Sequence, residues 1–176
     1  MQRRSPRLQG YDYSSPGAYF VTVCTYKGRC ILGEVVDGVM RLNDAGRVVS
    51  DSWRWLENQY TYVKLDEFII MPNHIHGILL IINECRGRSR TAPTGKRKPL
   101  GRLIGAFKTI STKRINQMRG TPGMAIWQRS YYERVVRRTD RMDRIRKYII
   151  NNPARWVRDH GHAESPSRDI VDNRSM

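Results

Sequence analysis

Residues 63–82 read VKLDEFIIMPNHIHGILLII, and this stretch decides the fold that the sequence predicts. Val63 to Met71 and His74 to Ile82 are both rich in apolar and β-branched residues, and only Pro72-Asn73 separates them. Two such runs around a turn dipeptide predict a pair of adjacent strands. The second run is apolar on both faces, which is typical of a strand at the centre of a sheet.

On the amino-terminal side, Ala18 to Tyr26 (AYFVTVCTY) has the aromatic and β-branched content of another strand. Lys27-Gly28-Arg29 is predicted to be a short turn, after which residues 30–36 are long enough to pair back as a second strand. Asp37-Gly38 is a tight-turn signal.

An amphipathic helix follows. Asn43 is predicted to be its N-cap, and apolar residues recur at spacings of three and four from Ala45 to Leu56. Trp53 lies on that apolar side, so it is interpreted as a core residue and not as a base-stacking platform.

On the carboxyl-terminal side, Glu84 to Pro99 has almost no large apolar residue and is interpreted as a mobile basic loop. A basic amphipathic helix is predicted from Leu100 to Met118. Residues 126–136 have the composition of extended structure. Thr139 is predicted to cap a final helix that Pro153 ends.

This order of elements favours one fold class. Strands and helices interleave, but no glycine-rich phosphate loop follows a strand, which disfavours Rossmann and P-loop folds. A compact α+β sandwich with an antiparallel sheet fits better. The 176 residues suffice for one domain, predicted over 1–158, with a basic arm at 1–16, the basic loop at 84–99 and a polar, disordered tail at 159–176.

The net charge indicates the class of partner. Thirty-two Lys and Arg face 16 Asp and Glu, which gives a net charge of +16 and a pI near 10.4. Such a field attracts polyanions, and nucleic acid is the leading candidate. A structural protein of a ribonucleoprotein, or a protein that binds acidic membranes, would have the same charge.

Cysteine use and hydropathy indicate the compartment. The three cysteines are odd in number and form no C-x-x-C pair, which is typical of reduced cytosolic thiols. No apolar leader region follows the first residues, and the longest apolar run, Ile78 to Ile82, is too short to span a bilayer. A cytoplasmic protein without a membrane partner is therefore expected.

His74 and His76 are the first candidates for chemistry. Residues i and i+2 of a strand point to the same face, so both imidazoles project together. Two neutral imidazoles can hold one divalent cation and leave positions open for other ligands. The alternative is a pair of packed, hydrogen-bonded histidines at a strand end, and H-x-H alone does not distinguish the two.

Two known zinc motifs do not fit the context of this pair. A hydrolase of the metallo-β-lactamase type requires H-x-H-x-D-H, but Ile78 and Leu79 occupy the last two positions. A zinc deaminase requires H-x-E and P-C-x-x-C, and the sequence contains neither.

Tyr148 is a candidate nucleophile for phosphoryl transfer, because a phenolate can attack phosphorus and hold the cut strand. It lies on the predicted last helix, and Asn152, four residues on, shares its helical face and can offer an amide oxygen to the same metal. Most helical tyrosines are core residues, so the alternative that Tyr148 only packs in the core stays open. The adjacent Tyr131 and Tyr132 are rival nucleophiles.

Several cations are candidate DNA contacts. Arg144 and Lys147 flank Tyr148 on its helix, where they can bind phosphate. The remaining candidates lie on the outer side of the preceding helix and in the segment that follows it: Arg102, Lys108, Lys113, Arg114 and Arg129.

Four blocks in order resemble one known family. They are MPNHIHGILLI (71–81), GRLIGAFKTISTKRIN (101–116), WQRSYYERVVR (127–137) and YIINNPARW (148–156). Together they look like the REP-associated tyrosine transposases, which are relatives of the single-tyrosine HUH transposases of bacterial insertion sequences. The similarity covers about Arg4 to Trp156.

The resemblance implies a ferredoxin-like α+β fold, with helices on one face of the sheet and a carboxyl-terminal helix that carries the nucleophile. It implies Mg²⁺ or Mn²⁺ held by His74, His76 and Asn152, and a Tyr148 that forms a 5′-phosphotyrosine with single-stranded DNA. The implied substrates are hairpin-forming palindromic repeats, cleaved and rejoined in DNA recombination and transposition. Monomer and homodimer both remain open.

Two other functions compete with this one. A protein that binds DNA or RNA hairpins without cutting them would share the charge, but it would not need His74, His76, Tyr148 and Asn152 together. A basic component of a ribonucleoprotein would bind structured RNA without any metal requirement. No ATP is expected in the enzymatic case, because the phosphotyrosine keeps the bond energy.

Overall fold

A computed structural model describes residues 10–83 and 97–156, and within them the chain forms six strands and four α-helices. The strands are β1 (Gly17–Cys24), β2 (Gly33–Val36), β3 (Val39–Leu42), β4 (Val63–Met71), β5 (His74–Ile81) and β6 (Tyr132–Val136). The helices are α1 (Asp44–Gln59), α2 (Leu100–Arg119), α3 (Thr139–Ile150) and α4 (Asn152–Trp156).

The main sheet has the order β4-β5-β1-β6, and every neighbouring pair is antiparallel. Along the chain the elements β1, α1, β4, β5, α2 and β6 follow the βαββαβ order of a ferredoxin-like fold. The predicted fold class is therefore confirmed. The β5 strand lies between β4 and β1, as its apolar composition predicts.

The sheet has two covered faces. Alternate residues of β1 such as Tyr19, Val21 and Val23 point to one face, where they join the core formed with α1 and α2. Phe20 of β1 and Ile78 of β5 point to the other face and pack with α3. Two helices thus cover one face, and the helix that carries the candidate nucleophile covers the other.

Trp53 of α1 is fully buried, as predicted, and Gly77 explains how it fits. A Cβ built on Gly77 would lie 2.6 Å from Cζ2 of the Trp53 ring. The indole therefore occupies the space that a side chain at this point of β5 would need. This close contact lies directly between His76 and Ile78, so it also fixes the part of β5 that carries the histidine pair.

The segment after β1 differs from its prediction. Residues 33–36 do not pair back on β1; they pair with β3 in a separate two-stranded sheet. Asp37 and Gly38 form the tight turn between them, both with positive φ, as that dipeptide predicts. Asn43 caps α1 as predicted, since its side chain accepts a hydrogen bond from the Gly46 amide at 3.0 Å.

Three further corrections concern segment ends. Tyr11 and Tyr13 pack against Tyr19, so these two residues of the predicted arm lie on the core. Lys98, at the end of the predicted basic loop, is held by a hydrogen bond from its amide to the Tyr62 hydroxyl. Arg138 is the N-cap of α3 and Thr139 is its first residue.

Some predictions lie outside the described residues. They concern the first nine residues of the arm, residues 84–96 of the basic loop, and the tail at 159–176. Within 10–83 and 97–156, no helix has both the length and the apolar character needed to cross a membrane.

Candidate active site

The histidine pair lies on the face of the sheet that α3 covers. His74 and His76 are the first and third residues of β5, so both side chains point toward this face, as predicted. His74 is 4% exposed and His76 is fully buried. The Phe20 ring stacks on the His76 imidazole, with ring centroids 5.5 Å apart.

The two imidazoles face each other through their Nε2 atoms. The Nε2 atoms of His74 and His76 lie 3.0 Å apart. The outward-facing nitrogens are held separately: Nδ1 of His74 lies 2.7 Å from Asn73 Oδ1, and Nδ1 of His76 lies 2.8 Å from Thr22 Oγ1. An amide oxygen only accepts hydrogen bonds, so His74 carries its hydrogen on Nδ1 and has a free lone pair on Nε2.

The turn before β5 is fixed by the chain that follows β1. The amide and the hydroxyl of Thr25 both donate to the Asn73 carbonyl, at 2.8 and 3.0 Å. The Leu32 amide donates to the Pro72 carbonyl at 3.1 Å. These bonds hold the backbone of Asn73, whose side chain in turn orients His74.

Burial keeps both imidazoles neutral. Removal from water lowers the pKa of His74 to about 4 and the pKa of His76 well below its ordinary value. Both rings are therefore uncharged at neutral pH, which is the form that binds metal ions.

The histidine pair fits a divalent cation. Two ligand atoms bound at right angles to one ion at about 2.1 Å lie about 3 Å apart, which matches the Nε2 separation. Without an ion, the same distance accommodates a hydrogen bond between the rings. The described residues contain no cluster of three or more His, Cys, Asp or Glu that could hold a metal. Among the residues that the structure describes, a third protein ligand would therefore be of another type, such as an amide.

Tyr148 is brought to the histidine pair by α3. Its hydroxyl lies 3.3 Å from His76 Nε2, and its ring centroid is 5.2 Å from that of His76. Ile145 and Ile149, on the same helix, are buried against the sheet and set the position of α3. Tyr148 also packs edge-on against Phe20, so it is a packed residue as well as a neighbour of the histidine pair.

Asn152 does not lie on the helix where its spacing from Tyr148 predicts it. The α3 helix ends at Ile150, and Asn152 begins α4, so it does not continue the helical face of Tyr148. Pro153 is the second residue of α4, where its missing amide hydrogen costs nothing. Asn152 is 8% exposed. In the sequence it lies between Tyr148, whose hydroxyl is near His76, and Trp156, whose ring is 5.9 Å from that of His74.

The two rival tyrosines lie on opposite faces of the sheet, and Tyr132 shares the face of the histidine pair. Tyr132 of β6 packs against the Phe20 ring, with centroids 6.4 Å apart. Tyr131 packs with the core on the opposite face, where the Lys108 ammonium lies 5.5 Å from its ring centroid. The geometry therefore favours Tyr148.

Lys108 is the one predicted DNA contact whose position the structure corrects. It does not point outward: its ammonium donates to the carbonyls of Gln128, Arg129 and Ser130, at 2.9, 3.3 and 3.0 Å. Burial lowers the pKa of Lys108 to about 8. The remaining candidates are exposed and stay predictions: Arg102, Lys113, Arg114, Arg129, Arg144 and Lys147.

Comparison with known proteins gives two findings. No family model matches the chain. An uncharacterised protein of Haemophilus influenzae is 34% identical over 166 residues, which cover 89% of this chain and 91% of that protein. The chain therefore belongs to the same family as that protein.

One solved structure shows the same fold over nearly the whole chain. A solved structure of a REP-associated tyrosine transposase bound to a REP hairpin matches with a TM-score of 0.57 and 16% sequence identity. The match covers 96% of this chain and 94% of the transposase. The protein therefore has the fold of a REP-associated tyrosine transposase, the family that its sequence blocks resemble.

Proposed function

We propose that the protein is a metal-dependent single-stranded DNA endonuclease and transesterase, a transposase that cleaves and rejoins hairpin-forming repetitive DNA. One observation carries this proposal: the Tyr148 hydroxyl lies 3.3 Å from His76 Nε2, and that atom lies 3.0 Å from His74 Nε2. A hydroxyl that can act as a nucleophile and two neutral imidazoles that can bind a metal ion thus meet on one face of the sheet.

In this proposal, His74, His76 and Asn152 hold Mg²⁺ or Mn²⁺. Such an ion, when bound, polarises the scissile phosphate and stabilises the charge that develops on it. Thr22 and Asn73 hold the two imidazoles in the orientation that this requires.

Tyr148 attacks the phosphorus of the scissile phosphodiester. A bond forms between its phenolic oxygen and phosphorus, and the bond from phosphorus to the 3′-oxygen breaks. The phenol proton leaves to solvent, and the departing 3′-oxygen takes up a proton to become a hydroxyl. One phosphodiester replaces another, so a 3′-hydroxyl can reverse the step and rejoin strands without ATP.

Two observations support the proposed substrate class: the net charge of the chain and its structural similarity to a protein solved with a REP hairpin. A net charge of +16 suits a polyanion, and a protein of the same fold has been solved with a REP hairpin. Arg144 and Lys147 are exposed on the helix that carries Tyr148 and can bind phosphates of a DNA strand beside it.

A covalent-adduct assay tests the proposal. The full chain is incubated with Mn²⁺ and a labelled single-stranded hairpin of palindromic repeat sequence, and the products are separated by denaturing electrophoresis. We expect a protein–DNA adduct that EDTA abolishes. Tyr148→Phe, which keeps the ring packed against Phe20, should lose the adduct, while Tyr132→Phe should retain it.

Two results would reject the proposal. Tight hairpin binding without any adduct would make the chain a non-catalytic hairpin-binding protein. An adduct that survives in Tyr148→Phe would place the nucleophile elsewhere.

A further inference from the structure

One cation lies over the aromatic ring of the candidate nucleophile, Tyr148. The guanidinium carbon of Arg155 lies 5.8 Å from the centroid of the Tyr148 ring. Arg155 is exposed, and within residues 10–83 and 97–156 it has no salt bridge to a carboxylate. Its charge is therefore available to a ligand.

Two arginines of the α3 region are already paired with carboxylates. Arg146 of α3 is paired with Asp66 and Asp143, and Arg138 is paired with Asp140. Arg155 differs from these, because its contact is an aromatic ring whose hydroxyl lies at the histidine pair.

The α4 helix that carries Arg155 is supported from several sides. The Trp156 ring lies 5.9 Å from that of His74. A Cβ on Gly38, at the tip of the β2–β3 hairpin, would be 3.7 Å from the Ala154 Cα. The Arg155 amide donates to the Asn151 carbonyl at 3.3 Å. The backbone of Arg155 is thus fixed beside the site while its side chain stays open to solvent.

We propose that Arg155 is a catalytic residue that binds the phosphate attacked by Tyr148. This inference rests on the proposed function. The planar guanidinium can donate two parallel hydrogen bonds to the non-bridging phosphate oxygens. As the bond from Tyr148 to phosphorus forms and the bond to the 3′-oxygen breaks, negative charge builds on these oxygens, and Arg155 neutralises it.

The first measurement is the single-turnover rate of adduct formation at saturating hairpin. Removal of one such donor typically costs about 10²-fold or more in rate. We expect the rate to fall by about that factor in Arg155→Ala. The fall should be smaller in Arg155→Lys, which keeps the positive charge but lacks the two parallel N–H donors of the guanidinium. Hairpin affinity should change by less than about threefold, because one phosphate contact among many is lost.

Arg54→Ala is the matched control. Arg54 also lies on an aromatic ring, 5.6 Å from the Phe68 centroid, but it belongs to α1 on the other side of the sheet. Its removal should leave the rate of adduct formation unchanged.

The second measurement separates a phosphate contact from a structural one. A hairpin with a single methylphosphonate at the cleavage position lacks the charged oxygen that Arg155 would neutralise. The wild-type protein and Arg155→Ala should react with it at the same rate, so the roughly 10²-fold difference should disappear.

The outcomes are distinct. If Arg155→Ala forms the adduct at the wild-type rate, or if its defect persists on the methylphosphonate, the assignment of Arg155 is wrong while the proposed function stands. If the wild-type protein forms no adduct with the ordinary hairpin, the proposed function fails and this inference fails with it.

Discussion

Each site imidazole is held at the nitrogen that faces away from the other, and this decides which nitrogen is free to bind a metal ion. Thr22 and Asn73 supply these outer contacts. Such partners fix both the orientation and the tautomer of a metal-binding histidine, and their loss typically weakens metal binding. Thr22 lies on β1, directly opposite His76 in the register of the sheet.

Thr22→Val should weaken Mn²⁺ binding. The change preserves the shape of a buried side chain but removes the hydroxyl 2.8 Å from His76 Nδ1. We expect about a 10- to 100-fold loss of Mn²⁺ affinity, measured by titration calorimetry or electron paramagnetic resonance. Thr109→Val is the control, because that hydroxyl bonds only its own helix, to the Gly105 carbonyl. Equal Mn²⁺ affinity in wild type and Thr22→Val would contradict a metal role for His76.

At the scale of single residues, local patterns predict part of the site. The H-x-H spacing places His74 and His76 on one face, because the period of a strand is two. The sequence blocks select Tyr148, and its contact with His76 agrees with that choice. Thr22 could not be found in this way, because it lies 54 residues from His76 and only the strand register joins them.

At the scale of elements, α3 is fastened to the edge strand β4 by an ion pair. Arg146 donates from Nε to Asp66 Oδ1 at 2.8 Å and from Nη2 to Asp66 Oδ2 at 2.6 Å. Asp66 lies where the pairing of β4 with β5 is irregular, between Leu65 and Phe68. The pair therefore ties the helix that carries Tyr148 to the sheet that carries the histidines.

Asp66→Asn should loosen this attachment and alter the dependence of stability on pH. Hydrogen bonds from Arg146 lower the pKa of the Asp66 carboxyl below its ordinary value. A lowered folded-state pKa stabilises the fold above about pH 4, and this stabilisation is lost as pH falls through the folded-state pKa. We expect Asp66→Asn to lower the free energy of unfolding by about 1 kcal/mol at pH 7, with a smaller difference at pH 3, measured by urea unfolding.

The control for this prediction is Glu57→Gln. It breaks the Glu57–Lys64 pair, which also joins β4 to a helix but on the side of α1. Asp66→Asn should slow adduct formation, whereas Glu57→Gln should not. A free-energy difference for Asp66→Asn that is the same at pH 3 and pH 7 would show that the carboxylate charge does not hold α3.

The elements themselves were largely predictable, because periodicity and caps are local signals. Asn43 as the cap of α1 and Asp37-Gly38 as a tight turn are both confirmed. The partner of residues 33–36 was not predictable from local signals. Either β1, which precedes them, or β3, which follows the Asp37-Gly38 turn, is close enough in sequence to pair with them. The end of α3 was also misplaced: the helix ends at Ile150, and Pro153 lies in the first turn of α4, where proline is tolerated.

At the scale of the whole molecule, exposed cations occur on both sides of the sheet. Arg144 and Lys147 lie on α3, on the face of the histidine pair, while Lys113 and Arg114 lie on α2, on the opposite face. Arg129 precedes β6, the edge strand next to β1. A DNA strand that contacts both sets must therefore pass an edge of the sheet.

Hairpin binding should weaken with salt, and the two cation sets should differ in their effect on the reaction. The logarithm of the binding constant should fall linearly with the logarithm of salt concentration, because bound phosphates release counterions. The double variant Lys113→Ala, Arg114→Ala should reduce this slope by about 2 and leave the single-turnover rate at saturating DNA unchanged. The variant Arg144→Ala, Lys147→Ala should lower both the salt slope and the single-turnover rate.

Fluorescence anisotropy across a salt series measures the slope. Arg47→Ala is the control, because Arg47 is already paired with Asp44. An unchanged slope in the α2 variant would show that DNA contacts only the face that carries Tyr148.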